Sequence, residues 1–292
     1  MYSEKIALVA LACAFLSTLA SGAAWNTEVR EPLHYTFSND KTLDVNDITG
    51  TIQITGDDGN TIRVEGEKII RAASRQEIER AKKEVTLDVN EKDRIAQLYV
   101  NGPFRHNRDA DDDHGFHAHY DDNGYEVTYN FSIHVPRDTE LRLRSVNGAI
   151  KTGQTSGRFD ISGVNGAVSM TDAAGSGSAR TVNGRLTISF RESPKAPTDF
   201  KTVNGAIDAA FPASLSADLS LKTLNGPVYT DFDTTLPGSA GGTQPPATAR
   251  RDDGKFIFKP DRHTTVRVGS GGPELKFETV NGEIRIRKES SK

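Results

Sequence analysis

Six times in the second half of this 292-residue chain an Asn-Gly pair stands between apolar residues, in SVNGAI, GVNGAV, TVNGRL, TVNGAI, TLNGPV and TVNGEI. One such pair is the strongest short-range signal for a β-hairpin. A series of them at near-constant spacing signals something else, a supersecondary unit that buries its apolar face only by stacking on its neighbours. The asparagines fall at 147, 165, 183, 204, 225 and 281, giving intervals of 18, 18, 21, 21 and 56 residues.

Aligned on that asparagine, the position six before holds Leu141, Phe159, Gly177, Thr198, Leu219 and Leu275. Four before stand Leu143, Ile161, Ala179, Phe200, Leu221 and Phe277, and two before is always a small residue. Immediately before it stand Val146, Val164, Val182, Val203, Leu224 and Val280; three after it stand Ile150, Val168, Leu186, Ile207, Val228 and Ile284. A period of two on both sides of the turn predicts short half-buried strands. Residues Leu43 to Ile54 fit the same template without the asparagine and form a degenerate first copy.

The fold class is therefore all-β, either a single-chain β-solenoid of stacked 18 to 21 residue rungs or a meander of Asn-Gly hairpins. Pro227 weighs against the hairpins. The residue after the glycine of a two-residue hairpin donates its N–H across the turn, and proline has none. On the solenoid reading the structural corners are Asn147 and Gly148, Asn165 and Gly166, Asn183 and Gly184, Asn204 and Gly205, Asn225 and Gly226, and Asn281 and Gly282. The asparagine amides would form one ladder, and each glycine would supply a positive φ. Rungs following in chain order would rise about 4.8 Å each. The charged last strand, residues 283 to 288, would then guard an open edge.

One short helical insertion near the N-terminal end breaks the β pattern. Ser74-Arg75-Gln76-Glu77 is a capping box, followed by Ile78, Ala81 and Val85 at helical spacing, and the helix is placed to cap the start of the coil. Residues 1–24 have the form of a signal peptide: Lys5, an apolar run from Ile6 to Leu19, then small residues. The only cysteine, Cys13, lies in that run, so an exported mature chain carries no free thiol and can form no disulfide, and lipidation of Cys13 stays open. Residues 25–292 are then one repeat domain with its main array at 137–292 and two long loops, 105–124 and 233–262.

Candidate chemistry concentrates in the first of these loops. His106, Asp109, Asp111, Asp113, His114, His117, His119 and Asp121 could bind a divalent metal, although their spacing matches no known site. The simpler expectation is a solvated acidic loop and no cofactor. Nothing points to an enzyme: there is no nucleophile elbow, no phosphate-binding glycine loop before a helix, and no thiol. Outward charges such as Asp160, Asp172, Arg180, Lys201, Asp208 and Lys222 could serve a polysaccharide-active enzyme, but solvation alone accounts for them. A formal net charge of −4 gives no reason to expect nucleic acid as a partner.

The recurrent T-V-N-G-x-I, the stretch HVPRDTELRLRSVNGAIKTG, the helical ASRQEIERAKKEVTLDV and the closing GSGGPELKFETVNGEIRIR resemble a bacterial putative-adhesin family of unknown function. The resemblance covers about residues 40 to 292. It implies a β-solenoid without a catalytic site, exported to the periplasm, the outer membrane or the medium. Membrane attachment stays open. The expected role is a non-catalytic cell-envelope interaction or scaffold protein, with an unidentified envelope or extracellular macromolecule as partner.

Overall fold

The computed structural model describes residues 27–105, 124–235, 250–252, 255–258 and 264–289. Before the repeats come β1 (Thr27–Ser38), β2 (Thr42–Asp57), β3 (Thr61–Ala72), α1 (Arg75–Glu84), β4 (Thr86–Lys92), β5 (Ile95–Asn101) and β6 (Tyr125–Pro136). The repeats supply β7 (Leu141–Asn147) and β8 (Ile150–Gly153), β9 (Phe159–Asn165) and β10 (Val168–Ala173), then β11 (Gly177–Asn183) and β12 (Leu186–Phe190). They continue with β13 (Thr198–Asn204) and β14 (Ile207–Phe211), then β15 (Ala217–Asn225) and β16 (Val228–Thr230). After β17 (Thr234–Thr235), β18 (Arg250–Asp252), β19 (Lys255–Phe258) and β20 (Thr264–Val268) comes the last repeat, β21 (Glu274–Asn281) and β22 (Ile284–Lys288).

The described residues are all-β apart from α1. The strands before and after each Asn-Gly do not pair with each other, as a hairpin would require. Each pairs in parallel with its equivalent in another repeat: β7 with β9, β9 with β11 and β11 with β13 on one side, and β8 with β10, β10 with β12 and β12 with β14 on the other. The 16-residue β2 crosses from one side to the other within itself, pairing Leu43 with Leu141 and Ile52 with Ile150. Its Thr49 stands opposite Asn147, as the degenerate first copy requires.

The rungs do not stack in chain order. β21 lies between β13 and β15, and β22 between β14 and β16, so the asparagines run 204, 281, 225 in space. The last strand is thus interior and guards no edge. A physical reason for the place of the last repeat lies three residues before Asn204, Asn225 and Asn281, although Arg180 still pairs with Lys201 one rung further on. Chain-order stacking would set Lys201 beside Lys222, and like charges directly opposite are destabilising. The observed order puts Glu278 between them, 3.5 Å from Lys201 and 2.9 Å from Lys222. Inside, Phe277 stacks on Phe200 at 5.2 Å and meets Phe211 edge-on at 6.2 Å.

Antiparallel strands close both ends. At the start, β6 pairs in parallel with β2 and carries β3 and then β1, while β5 pairs with β2 and carries β4. At the far end β20 and β17 extend one side, and β19 and β18 the other. The stretch 233–262, read as loop, therefore contains strands: Phe256, Ile257 and Phe258 pair with Thr230, Tyr229 and Val228, completing the edge that β16 leaves open. α1, capped by the Ser74 hydroxyl accepting from the Glu77 N–H, packs Ile78 and Ala81 on Ile70 and Ala72. It covers a face of the added strands rather than the end of the coil.

The core lies between the two sides. All six residues three after an asparagine are at most 1% exposed. Each such side chain stabilises the fold by about 1.5–3 kcal/mol. Except at Val146, which is buried, the residue just before the asparagine points outward instead, because the alternation continues through the buried position two before it. Thus Val182 is 39% and Leu224 75% exposed, while Thr202 is fully buried.

Each corner glycine is needed for a reason other than a positive φ, which none of the six has. A Cβ on Gly184 would sit 2.0 Å from the Gly166 carbonyl oxygen, and one on Gly205 would sit 1.9 Å from that of Gly184. The threonine two before the asparagine binds the same carbonyls: Thr181 Oγ1 donates to Gly166 O, Thr202 to Gly184 O, Thr279 to Gly205 O and Thr223 to Gly282 O, at 2.9 to 3.1 Å. Gly184→Ala should therefore cost at least about 2–3 kcal/mol, the usual cost of overpacking. Gly153→Ala, whose new methyl meets only the Thr171 hydroxyl at 3.3 Å, should cost far less. Urea denaturation of both variants measures the difference, and equal costs would contradict the close-approach account.

Candidate interaction surface

The corners carry an unbroken line of side-chain amides. Asn165 Nδ2 donates to Asn147 Oδ1, Asn183 to Asn165, Asn204 to Asn183, Asn281 to Asn204 and Asn225 to Asn281, at 2.8 to 2.9 Å. Such a line forms because parallel rungs repeat the same residue at the same height, and each amide both donates and accepts. All but Asn147 are exposed, so the ladder holds register while facing solvent. Beside it runs the column from Val146 to Leu224, apolar, buried at Val146 and exposed at Val182 and Leu224.

The next outward column is charged. Arg144 lies 3.8 Å from both Asp44 and Asp160, and Asp160 also faces Arg180 at 3.6 Å. Further along, Glu278 gathers Lys201, Lys222 and Lys276; the Lys222 hydrogen bond leads the causes that lower its pKa. Burial raises the pKa of Asp44 and of Asp199. Exposed pairs of this kind contribute little stability each. Their effect here is to fix which rung lies beside which.

The outward residues named as candidates for catalysis are not brought together. Asp160, Arg180, Lys201 and Lys222 share the face of β9, β11, β13 and β15 but are spread over several rungs in ion pairs. Asp208 is on the other face, bound to Arg287 at 2.8 Å. Asp172 lies at the register shift near the end of β10, in a shallow cleft with Arg137, Gln154 and Arg191. Sequence reasoning missed Arg137, Gln154 and Arg191, because what joins them is the stacking of separate stretches of chain.

His106, Asp109, Asp111, Asp113, His114, His117, His119 and Asp121 lie outside the described residues. Among the described residues no group of three His, Cys, Asp or Glu side chains could hold a metal ion. None of the described helices is long and apolar enough to cross a membrane.

One buried carboxyl interrupts the pattern. Asp47 occupies the position two before the corner in β2, opposite Ser145. It is fully buried; its Oδ1 accepts from the Ile48 N–H at 2.8 Å, but its Oδ2 and the Ser145 hydroxyl have no hydrogen-bond partner. Burial pushes its pKa up to about 7, against backbone N–H bonds and the Arg105 charge.

No protein-family model and no curated protein matches the chain. Among solved structures, it is similar to a putative cell adhesion protein from Clostridium sporogenes at 10% identity and a TM-score of 0.34, over 89% of this chain and 100% of that one. It is also similar to a putative adhesin from Bacteroides fragilis at 11% identity and a TM-score of 0.31, over 89% of this chain and 97% of that one. A putative adhesin from Parabacteroides distasonis gives 11% identity and a TM-score of 0.22 with the same coverage.

Asp47 yields a prediction with a definite sign. An unfolded aspartate releases its proton near pH 3.9, about three pH units before the folded one. Between those values the folded state binds more protons, so the contribution of Asp47 to stability falls as pH rises through that window. Asp47→Asn removes the titration. The Tm of the variant minus that of the parent should grow between about pH 4 and about pH 8; a difference independent of pH would contradict the buried-carboxyl account.

Proposed function

We propose that the chain is an exported, non-catalytic interaction module of the cell envelope, adhesin-like in that it binds a partner along its length. The observation that carries this reading is the outward side of the rungs ending at Asn147 to Asn225. A straight amide ladder there runs beside an apolar column with one residue per rung. Repeat folds bind partners along such extended surfaces. The signal-peptide form of residues 1–24 supplies the route out of the cell.

The alternative of a polysaccharide-active enzyme finds no support in the placement of the outward charges, which lie on different faces and are largely ion-paired with one another. The interaction reading instead assigns them to solvation and rung order.

Expression of the full chain in a bacterial host, followed by fractionation, tests the location; recovery in the cytoplasm with residues 1–24 intact would contradict it. Retention of envelope extract on the purified exported chain tests the surface. Val182→Glu with Leu224→Glu should abolish retention while leaving the circular dichroism spectrum unchanged. Undiminished retention would place the binding surface elsewhere.

A further inference from the structure

Near the ends of the second strands of two rungs the backbone is uncommon. Gln154 has φ +58° and Asp172 has φ +52°, both in the left-handed region, and each stands seven residues after the asparagine of its rung. Side chains other than glycine rarely adopt this conformation. The chain has 26 glycines and places one at every Asn-Gly corner, yet here it keeps a polar side chain at a conformational cost. Strain of this kind concentrates where a protein binds something.

The neighbouring rungs hold both positions in the same way. Arg137 Nη1 donates to the Gln154 carbonyl at 3.4 Å, and Arg191 Nη1 donates to the Asp172 carbonyl at 2.8 Å. The Gln154 N–H is tied to Thr171 O at 2.9 Å and the Asp172 N–H to Ser189 Oγ at 3.2 Å. Together Arg137, Gln154, Asp172 and Arg191 line the cleft.

The residues that line the cleft also have unused hydrogen-bonding capacity. Arg137 spends Nε on Asp58 and Nη1 on Gln154, whose own Oε1 accepts at 3.3 Å, so guanidinium Nη2 and the Gln154 amide nitrogen remain as donors. Arg191 spends Nη1 on Asp172 O and has Glu192 3.7 Å from Nε, which also leaves Nη2. The Asp172 carboxylate makes no hydrogen bond or ion pair among the described residues. The lining of the cleft therefore combines two guanidinium groups and an amide with one carboxylate.

That pattern selects among ligands. A phosphate or a free carboxylate held between the two guanidinium groups would face the unpaired charge of Asp172. A neutral ring with adjacent hydroxyls would donate to Asp172 and accept from the arginines and the amide. Successive rungs rise about 4.8 Å, on the order of one pyranose ring.

We propose that the cleft of Arg137, Gln154, Asp172 and Arg191 binds a neutral saccharide through adjacent hydroxyls. The proposal rests on the envelope-interaction reading above and names the chemistry of one ligand. Among the described residues no aromatic ring lines the cleft, so a single site binds weakly, and many chains on one surface would raise the avidity.

The test is an amide NMR titration of the purified exported chain with neutral oligosaccharides (cellobiose, maltotriose and N,N′-diacetylchitobiose), and in parallel with galacturonate and inorganic phosphate, each at millimolar concentration. The expected result is saturating shifts at residues 154 and 172 with at least one neutral sugar and none with the anions. Gln154→Gly and Asp172→Gly should keep or raise Tm, since glycine adopts this backbone without cost, and should remove the response. A response to the anions alone, no response to any probe, or a clear fall in Tm in both glycine variants overturns the proposal. Envelope retention is scored separately through Val182 and Leu224, so failure of the saccharide site and failure of the envelope reading give different results.

Discussion

The structure depends on how closely one glycine approaches the next. At each Asn-Gly corner the glycine lies against the carbonyl of the glycine in the adjoining rung, so near that any Cβ would overlap it. That contact lets three other bonds form together: the backbone ladder through the corner, the threonine hydroxyl to the glycine carbonyl, and the asparagine amide to the next amide. Each is worth about 1 kcal/mol by itself, but the amide and backbone bonds recur from rung to rung and the threonine bond joins them in four repeats. The motif T-V-N-G thus divides its labour. Threonine and glycine close the rung contact, asparagine keeps register, and valine is left facing outward.

A stack built from nearly identical corners needs something else to decide the order of its rungs. Any Asn-Gly corner could sit on any other, and the chain uses that freedom by inserting its last repeat between the two before it. Side chains that differ between repeats make the choice. Glu278 separates Lys201 from Lys222, and Phe277 meets Phe200 inside. The ends are then closed by antiparallel strands, which terminate parallel pairing without leaving a repeat exposed.

The architecture was largely readable from the sequence because the apolar period and the Asn-Gly spacing both repeat. What escaped that reading is what repetition hides. The valine before each asparagine counts as core in a simple tally, but Thr202, buried one place earlier, shows that the alternation never changes phase there. Positive φ was the ordinary reason to expect glycine, whereas the reason here is a neighbouring carbonyl, which only the stack brings near. The place of the last repeat matches the charges of Lys201, Glu278 and Lys222, a signal that becomes visible once those repeats are compared pairwise. The cleft at Arg137, Gln154, Asp172 and Arg191 had no sequence signature, since it joins separate stretches of chain and depends on backbone angles.

Function, on this account, belongs to the outward columns and corners that a stacked fold makes long and regular, and all of it presupposes the stacking order. Paired cysteines in a Cys13→Ser background test that order directly. Parallel neighbours lie about 4.8 Å apart, within disulfide reach, and second neighbours about twice that, beyond it. The account predicts ready oxidative cross-linking for Lys201→Cys with Glu278→Cys and for Glu278→Cys with Lys222→Cys, and none for Lys201→Cys with Lys222→Cys. Efficient cross-linking of the 201 and 222 pair, with none between 201 and 278, would show chain-order stacking and contradict it.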